Sequence, residues 1–534
     1  MYFSKLALFL LIFTLIAAPA LRVSGISAKK TLSKDEGFSY VCATGHATEY
    51  VRATEGRYPF GEWVLAAEWK KFLQLDQRFC FKKIGLDLAS TDIHPPLYFW
   101  LLHVWSLVFG INLWTGPSLN LVLSLLAILA LYVLARDLLR NSIEAAVVAC
   151  AWAFSPAVFQ ISFEARQYDL LALLTILFVW RLVRYSDLKI NPRPGDFFLV
   201  TALTAAGALT YYYFALIVAG GGIFAIFRLG RANRKRLLQI FGALICGYAI
   251  FFLLHPHFYR SFMNESLMRG DFSSENLITR VENIFASFRF FFMNPLAIKP
   301  LGYILFAALT IWLIIALRRQ GLKLFHDIRR ADFSGLQILF FFFWIAGIQI
   351  VLYLTYVSPS HAMNPKYLSM AWPFFAFMPI LILRLFRSHL APLAILFCIA
   401  IAISGIHGLR GFNDFTANQP DPTATLAKAR AIVVDNVSMG YLPRVLCKAA
   451  DEQMVFAMHP ADILSRKELW LNRLDSTTIM IRFDDPNSRR DGLYDGAQKL
   501  RAILDETVES EWMAGNAWGL GDVIKIRRKM ANSL

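Results

Sequence analysis

The chain has 534 residues, of which 57% are hydrophobic and only 17% charged, against about 25% charged in an ordinary soluble domain. That balance excludes a soluble globular enzyme: apolar runs long enough to span a bilayer recur, and in lipid each must be a helix that satisfies its own backbone. The net charge of +16 would suggest nucleic acid on a soluble protein, but here the Lys and Arg sit in short connectors and no nucleic-acid-binding motif is present, so the excess reads as membrane topology.

The first apolar run covers 6–24. Its Ala17-Ala18-Pro19-Ala20 end could pass for a signal-peptide cleavage site; we read the run as a retained helix, and either way the next loop lands outside. That loop, 25–114, is the long polar stretch around which the chain is organised. Within it, Gly61–Asp76 places Trp63, Leu65, Ala66, Trp69, Phe72 and Leu73 on one helical face, which predicts an amphipathic helix on the membrane surface; the alternative is a helix packed in a small loop domain. Cys42 and Cys80 share the loop and are either a disulfide or two unrelated thiols. None of the six cysteines has CxxC or Cys/His metal spacing.

The segment 95–110 begins Pro-Pro and is short for a span. If it lies in the interface, spans fall at about 115–135, 143–162, 168–184, 196–211, 213–229, 237–256, 296–317, 336–357, 367–385 and 389–408, eleven with the first. Every basic cluster, such as Arg228, Arg231, Arg234, Lys235 and Arg236, then faces the cytoplasm; a crossing at 95–110 would turn all of them outward. The expected architecture is a polytopic α-helical membrane domain over 1–408. A small extracytoplasmic α/β domain over 409–534 follows, with strands at Ala431–Asn436, Gln453–Met458, Thr477–Phe483, Glu509–Ala514 and Asp522–Arg527 and a helix at Leu493–Glu506.

Four polar sets gather on the outer side: Asp35-Glu36; Asp92 with His94, stiffened by Pro95-Pro96; Glu164-Ala165-Arg166-Gln167-Tyr168; and Lys366-Tyr367 after Asn364-Pro365. Each alone reads as readily as a water-exposed loop charge or interface anchor as it does as part of a site. Together, beside hydrocarbon where charge is costly, they mark a candidate site.

These residues carry a resemblance. Asp35-Glu36, the stretch Asp92-Ile93-His94-Pro95-Pro96-Leu97-Tyr98, and Ser155-Pro156 followed by Glu164-Ala165-Arg166-Gln167-Tyr168 resemble the signature of the GT-C glycosyltransferases. The pattern is similar to that of the dolichyl-phosphate-mannose protein mannosyltransferases and of the rhizobial lipopolysaccharide galacturonosyltransferases. It runs in matching order over about 6–385; the tail after 411 lies outside it. Lys366 stands where the family usually has Arg, which would exchange a bidentate phosphate contact for a point charge. Thr210-Tyr211-Tyr212 stands where relatives often show His-Tyr.

The resemblance implies an inverting glycosyltransferase with a polyprenyl-phosphate-linked sugar as donor. Its acceptor would be a glycan, lipid or protein hydroxyl on the periplasmic side of a bacterial inner membrane. Asp35 would be the general base, with Glu36 orienting acceptor or loop. Arg166 and Lys366 would hold the departing phosphate, with His94 as a nearby donor. Asp92 would keep His94 in register; Tyr98 and Tyr168 would touch sugar or phosphate, and Glu164 and Tyr367 would support them. The polyprenyl tail is expected near 285–297. No cofactor is required on this reading, although Asp35, Glu36, Asp92 and His94 could hold a divalent metal. A transporter or lipid flippase is the competing class, but it would place broken helices and polar groups at mid-bilayer, often in a repeat, and neither is evident. A third reading is an assembly subunit whose tail is the working part.

Overall fold

The protein is described from a computed structural model covering residues 5–230, 232–267, 277–292, 334–355, 365–385, 423–437, 440–482, 508–514 and 522–528. The spans expected at 296–317 and 389–408 and the helix expected at 493–506 lie outside these residues, as do Asn364 and part of 285–297. In chain order the elements begin with α1 (Lys5–Ser27), α2 (Lys34–Thr44), α3 (Ala47–Thr54), β1 (Val64–Leu65), α4 (Ala66–Lys70), α5 (Phe81–Thr91) and α6 (Leu97–Phe109). They continue with α7 (Thr115–Leu139), α8 (Ser142–Ala153), α9 (Pro156–Ser162), α10 (Tyr168–Ser186), α11 (Pro194–Ala208), α12 (Phe214–Leu229) and α13 (Arg234–Leu254). Then come α14 (Phe258–Leu267), α15 (Leu277–Phe292), α16 (Ser334–Thr355), α17 (Trp372–Phe375) and α18 (Met378–Leu385). The C-terminal part holds α19 (Thr423–Lys428), β2 (Ala431–Val434), α20 (Tyr441–Leu446), β3 (Met454–Ala457), α21 (Pro460–Ser465), α22 (Glu468–Leu471), β4 (Ile479–Arg482), β5 (Val508–Ala514) and β6 (Asp522–Arg528).

The chain divides into two compact units. One comprises Met1–Ile26, Ile93–Tyr98 and Ser118–Asn413; the other comprises Ser27–Asp92, Phe99–Pro117 and Asp414–Leu534. Among the described residues, α1, α7, α13 and α16 are long and apolar enough to cross a membrane. The pair α8 and α9 makes a fifth if counted as one broken span. The reading of 143–162 as a continuous span is corrected here: the chain bends by 57° between α8 and α9, because Pro156 has no N–H to continue the ladder. The expected span at 367–385 is likewise broken, into a 3-10 turn at Pro365–Leu368, α17 and α18.

In the first unit α11 and α13 lie close because Gly247 has no side chain. A Cβ there would stand 2.5 Å from Thr204 Cβ and 2.8 Å from the Thr201 carbonyl oxygen. Without water between helices, such close backbone packing is what holds them together.

The second unit is built on a six-stranded mixed sheet of order β1-β3-β2-β4-β6-β5. β2 runs parallel to β3 and β4, and the remaining pairs are antiparallel. Alternation sorts its side chains. Ile432, Val434, Val455, Ala457, Ile479 and Ile481 face a core completed by Phe38, Val41, Tyr50, Trp69, Phe72, Leu442 and Val445. Val433, Phe456, Met480 and Ile524 face another, with Met458, Ile463 and Trp470. The first loop and the C-terminal segment are therefore one folded body.

That body corrects one expectation and decides between the two readings left open for the loop cysteines. Gly61–Asp76 is not a membrane-surface helix: it is strand β1, the short helix α4 and a 3-10 turn at Lys71–Leu73. Its Ala66, Trp69 and Phe72 are buried in the sheet's core. Cys42 and Cys80 are not bridged; the Cys80 thiol instead points at the Thr44 carbonyl oxygen, 3.7 Å away.

Candidate active site

The sequence Ser33-Lys34-Asp35-Glu36 starts α2 with a capping box. Ser33 Oγ accepts from the Glu36 N–H at 3.2 Å, and Glu36 Oε2 accepts from the Ser33 N–H at 3.0 Å. At the other end Gly45, at φ 76°, turns into the left-handed region and returns its N–H to the last turn. Both carboxylates sit in the first turn, where the helix dipole favours negative charge. Glu36 is fully buried, and Lys29 Nζ reaches both of its oxygens at 2.6 Å. Asp35 is half-buried beside it, and its carbonyl accepts from Ser39 Oγ at 2.9 Å. The pair is thus unequal: Glu36 is a fixed structural anion, while Asp35 is the carboxylate not used in the cap.

From the C-terminal part of the same unit, Arg444 on α20 is also buried. Burial pushes its guanidinium down to about 10, with Tyr441, Cys447 and Glu36 opposing the shift, so it stays charged at neutral pH. Asp92 caps the end of α5, its N–H donating to the Leu88 carbonyl, and its side chain is buried.

In the membrane unit the other predicted residues converge. The turn at Glu164–Gln167 joins α9 to α10, closed by the Arg166 N–H on the Glu164 carbonyl at 2.7 Å. Arg166 is buried, and its Nη2 lies 3.3 Å from His94 Nε2. A guanidinium only donates, so Nε2 accepts and the His94 proton belongs on Nδ1. Tyr98 is fully buried and donates to Asn120 Oδ1 at 3.1 Å; Asn120 Nδ2 in turn donates to the carbonyls of Glu164 and Arg166. Lys366 Nζ stands 4.0 Å from Glu164 Oε2 and about equally far from the rings of Tyr168 and Tyr367, 6.0 and 5.9 Å. Those two rings meet edge to face. Two cations, one imidazole and three phenols are thereby gathered, with the Glu164 carboxylate beside Lys366, an arrangement able to take an anionic group.

Three contributors were not found from sequence. Asn120 shows only as a lone amide in the apolar run of α7. Lys29 precedes the acidic pair by seven residues, with nothing to mark it as its counter-ion. Arg444 lies over 400 residues from Glu36. Tyr212, at the departure from the expected His-Tyr, shares a 2.9 Å hydrogen bond with His255 Nε2.

Among the described residues no three His, Cys, Asp or Glu side chains are placed to hold a metal ion. Glu36 is moreover committed through both oxygens to Lys29. No step below uses a divalent cation.

Residues 93–259 match the family model described as dolichyl-phosphate-mannose-protein mannosyltransferase; the match takes in His94, Tyr98, Glu164, Arg166 and Tyr168, but not Asp35 or Lys366. No curated protein sequence matches the chain. Among solved structures, ArnT from Cupriavidus metallidurans, both apo and bound to undecaprenyl phosphate, superposes with a TM-score of 0.53 at 13% identity. The superposition covers 96% of this chain and 97% of that one. The Pmt1-Pmt2 protein O-mannosyltransferase complex of S. cerevisiae, bound to its sugar donor, aligns over 49% of this chain and 35% of that one at 14% identity, with a TM-score of 0.35. The chain thus has the fold of ArnT, and its residues 93–259 match the dolichyl-phosphate-mannose-protein mannosyltransferase family model.

Proposed function

We propose that the protein transfers a sugar, with inversion, from a polyprenyl-phosphate donor to a hydroxyl of a cell-envelope glycolipid, polysaccharide or protein. The setting is the periplasmic face of a bacterial inner membrane, crossed eleven times. The observation that carries the reading is the buried Arg166–His94 contact, with Lys366 between Tyr168 and Tyr367. Solved ArnT binds undecaprenyl phosphate, which supports a lipid phosphate as the anion for this cluster.

In the proposed reaction the acceptor oxygen attacks the anomeric carbon and the bond from that carbon to the phosphate oxygen breaks. The electron pair leaves with the polyprenyl phosphate, which Arg166 and Lys366 neutralise and His94 Nδ1–H can donate to. The acceptor proton passes to Asp35. Glu36, bound to Lys29, keeps the helix start rigid and takes no proton.

Mass spectrometry of the lipid A, core and polysaccharide fractions tests this in a deletion strain carrying wild type or Asp35→Asn. Loss of one sugar mass, restored by wild type and not by the variant, is expected. An unchanged profile, with an altered leaflet distribution of a carrier lipid instead, would remove the enzyme reading.

A further inference from the structure

The C-terminal part lies outside the motifs that carry the resemblance, yet it packs directly on the helix that bears the acidic pair. Gly37 of α2 and Gly440, just before α20, meet backbone to backbone. A Cβ on Gly37 would stand 2.7 Å from the Gly440 carbonyl oxygen, and one on Gly440 would overlap the Lys34 carbonyl oxygen. No side chain larger than hydrogen fits at either position.

Contacts on both sides of this crossing are charged or hydrogen-bonded. The Lys34 ammonium lies 4.8 Å from the centre of the Tyr441 ring, within the range of a cation–π contact. Tyr50, fully buried in the layer under α2, donates its hydroxyl to the Val437 carbonyl at 2.9 Å. Arg444, one turn beyond Tyr441, is buried on α20, the helix that packs against α2. Residues 34 and 36 flank Asp35, so the first turn of α2 is held from both sides of that residue.

We propose that Val437 together with Gly440–Arg444 seats the first turn of α2, and that Tyr441 and Arg444 are positioning residues for the carboxylate of Asp35. The inference rests on the reading of Asp35 as general base. It gives the C-terminal domain a part in turnover rather than in anchoring or acceptor capture alone. Neither residue touches substrate; each acts by fixing where Asp35 points. A small displacement of a positioned base lowers the rate of the chemical step without changing how the donor binds.

The test is steady-state kinetics of the full-length protein in detergent or nanodiscs, using a synthetic polyprenyl-phosphate sugar, on Arg444→Met, Arg444→Lys and Tyr441→Leu. Arg444→Met is expected to lower kcat about tenfold or more with the donor KM within about twofold of wild type. Arg444→Lys, which restores the charge, is expected to recover most of that loss. A wild-type kcat in Arg444→Met overturns the proposal. So does a loss that Arg444→Lys fails to recover and that tracks a fall in Tm, since that pattern belongs to general scaffolding. If Arg444→Met does not accumulate, Tyr441→Leu, which removes only the ring facing Lys34, carries the test: lowered kcat at unchanged KM supports the seat, and a wild-type kcat overturns it. Asp35→Asn run alongside separates the two ideas. If it stays active, the base assignment fails; if it is dead while the Arg444 and Tyr441 variants are normal, only the seat fails.

Discussion

At the scale of single residues, the chemistry depends on which charges are fixed and which are available. Arg166 is buried against His94 and held by a backbone turn that Asn120 braces, so it is preorganised for an anion. Arg166→Ala is therefore expected to lower kcat/KM for the lipid donor by about 10²–10³-fold, the usual loss for one preorganised donor to a departing oxyanion. Arg166→Lys should recover only part of it, because an ammonium cannot reproduce the fork. Donor titrations with each variant decide this, and unchanged donor dependence in Arg166→Ala would remove the phosphate role. Asp87 offers a test in the second unit. Burial raises its carboxyl above the ordinary range, against the pull of Thr48, whose hydroxyl donates to it at 2.7 Å. A raised folded-state value means that the folded protein binds the extra proton. Its contribution to stability is thus complete below the unfolded carboxylate range and is lost as pH rises through the folded value. Asp87→Asn should accordingly gain in Tm relative to wild type as pH goes from about 4 to about 7. A Tm difference that is flat across that range would show that the carboxyl is not destabilised by burial.

At the scale of elements, much was legible wherever the signal is local. Short apolar runs marked the inner strands of the C-terminal part, and Pro95-Pro96 marked the break between α5 and α6 in which His94 sits. The stripe of Trp69 and Phe72 was equally plain, but a stripe does not say what covers it. Its cover is a sheet whose strands lie more than 350 residues further along, so a membrane surface was inferred where a core exists. For the same reason Arg444 and Lys29 could not be read as neighbours of Glu36. Pro156 is visible in the sequence, but the hydropathy around it is continuous, and a hydropathy window does not register a bend. The α11–α13 crossing was invisible too, since a glycine in an apolar run looks like filler. Gly247→Val should push the two helices apart, costing about 1–3 kcal/mol in overpacking, and should lower both the monodisperse yield and the Tm. Gly347→Ala on α16, where an added Cβ meets nothing within 4 Å, should leave both unchanged. Equal behaviour of the two variants would show that the close approach does not contribute.

At the scale of the whole molecule, the sheet constrains the membrane topology. β1 belongs to the first loop and pairs antiparallel with β3, Val64 opposite Val455 and Leu65 opposite Met454. Strands share a ladder only if both segments are on the same side of the bilayer. The chain between them must therefore cross an even number of times. The ten spans expected from sequence after the first loop meet that parity, although 296–317 and 389–408 lie outside the described residues. With 13 residues, α6 would extend about 20 Å, short of the hydrocarbon thickness. An even number of crossings is also what the distribution of the basic connectors leads one to expect. Labelling with a membrane-impermeant thiol reagent can check it in a background where the exposed Cys246 and Cys447 are serine. Single cysteines replacing the exposed Phe79 and Leu469, one in each half of the second unit, should both label in intact spheroplasts. A cysteine at the exposed Lys235, in a basic connector, should label only after permeabilisation. Labelling of positions 79 and 469 from opposite sides would mean that the two halves of the sheet never meet, and with that the shared body that carries Asp35 would fall.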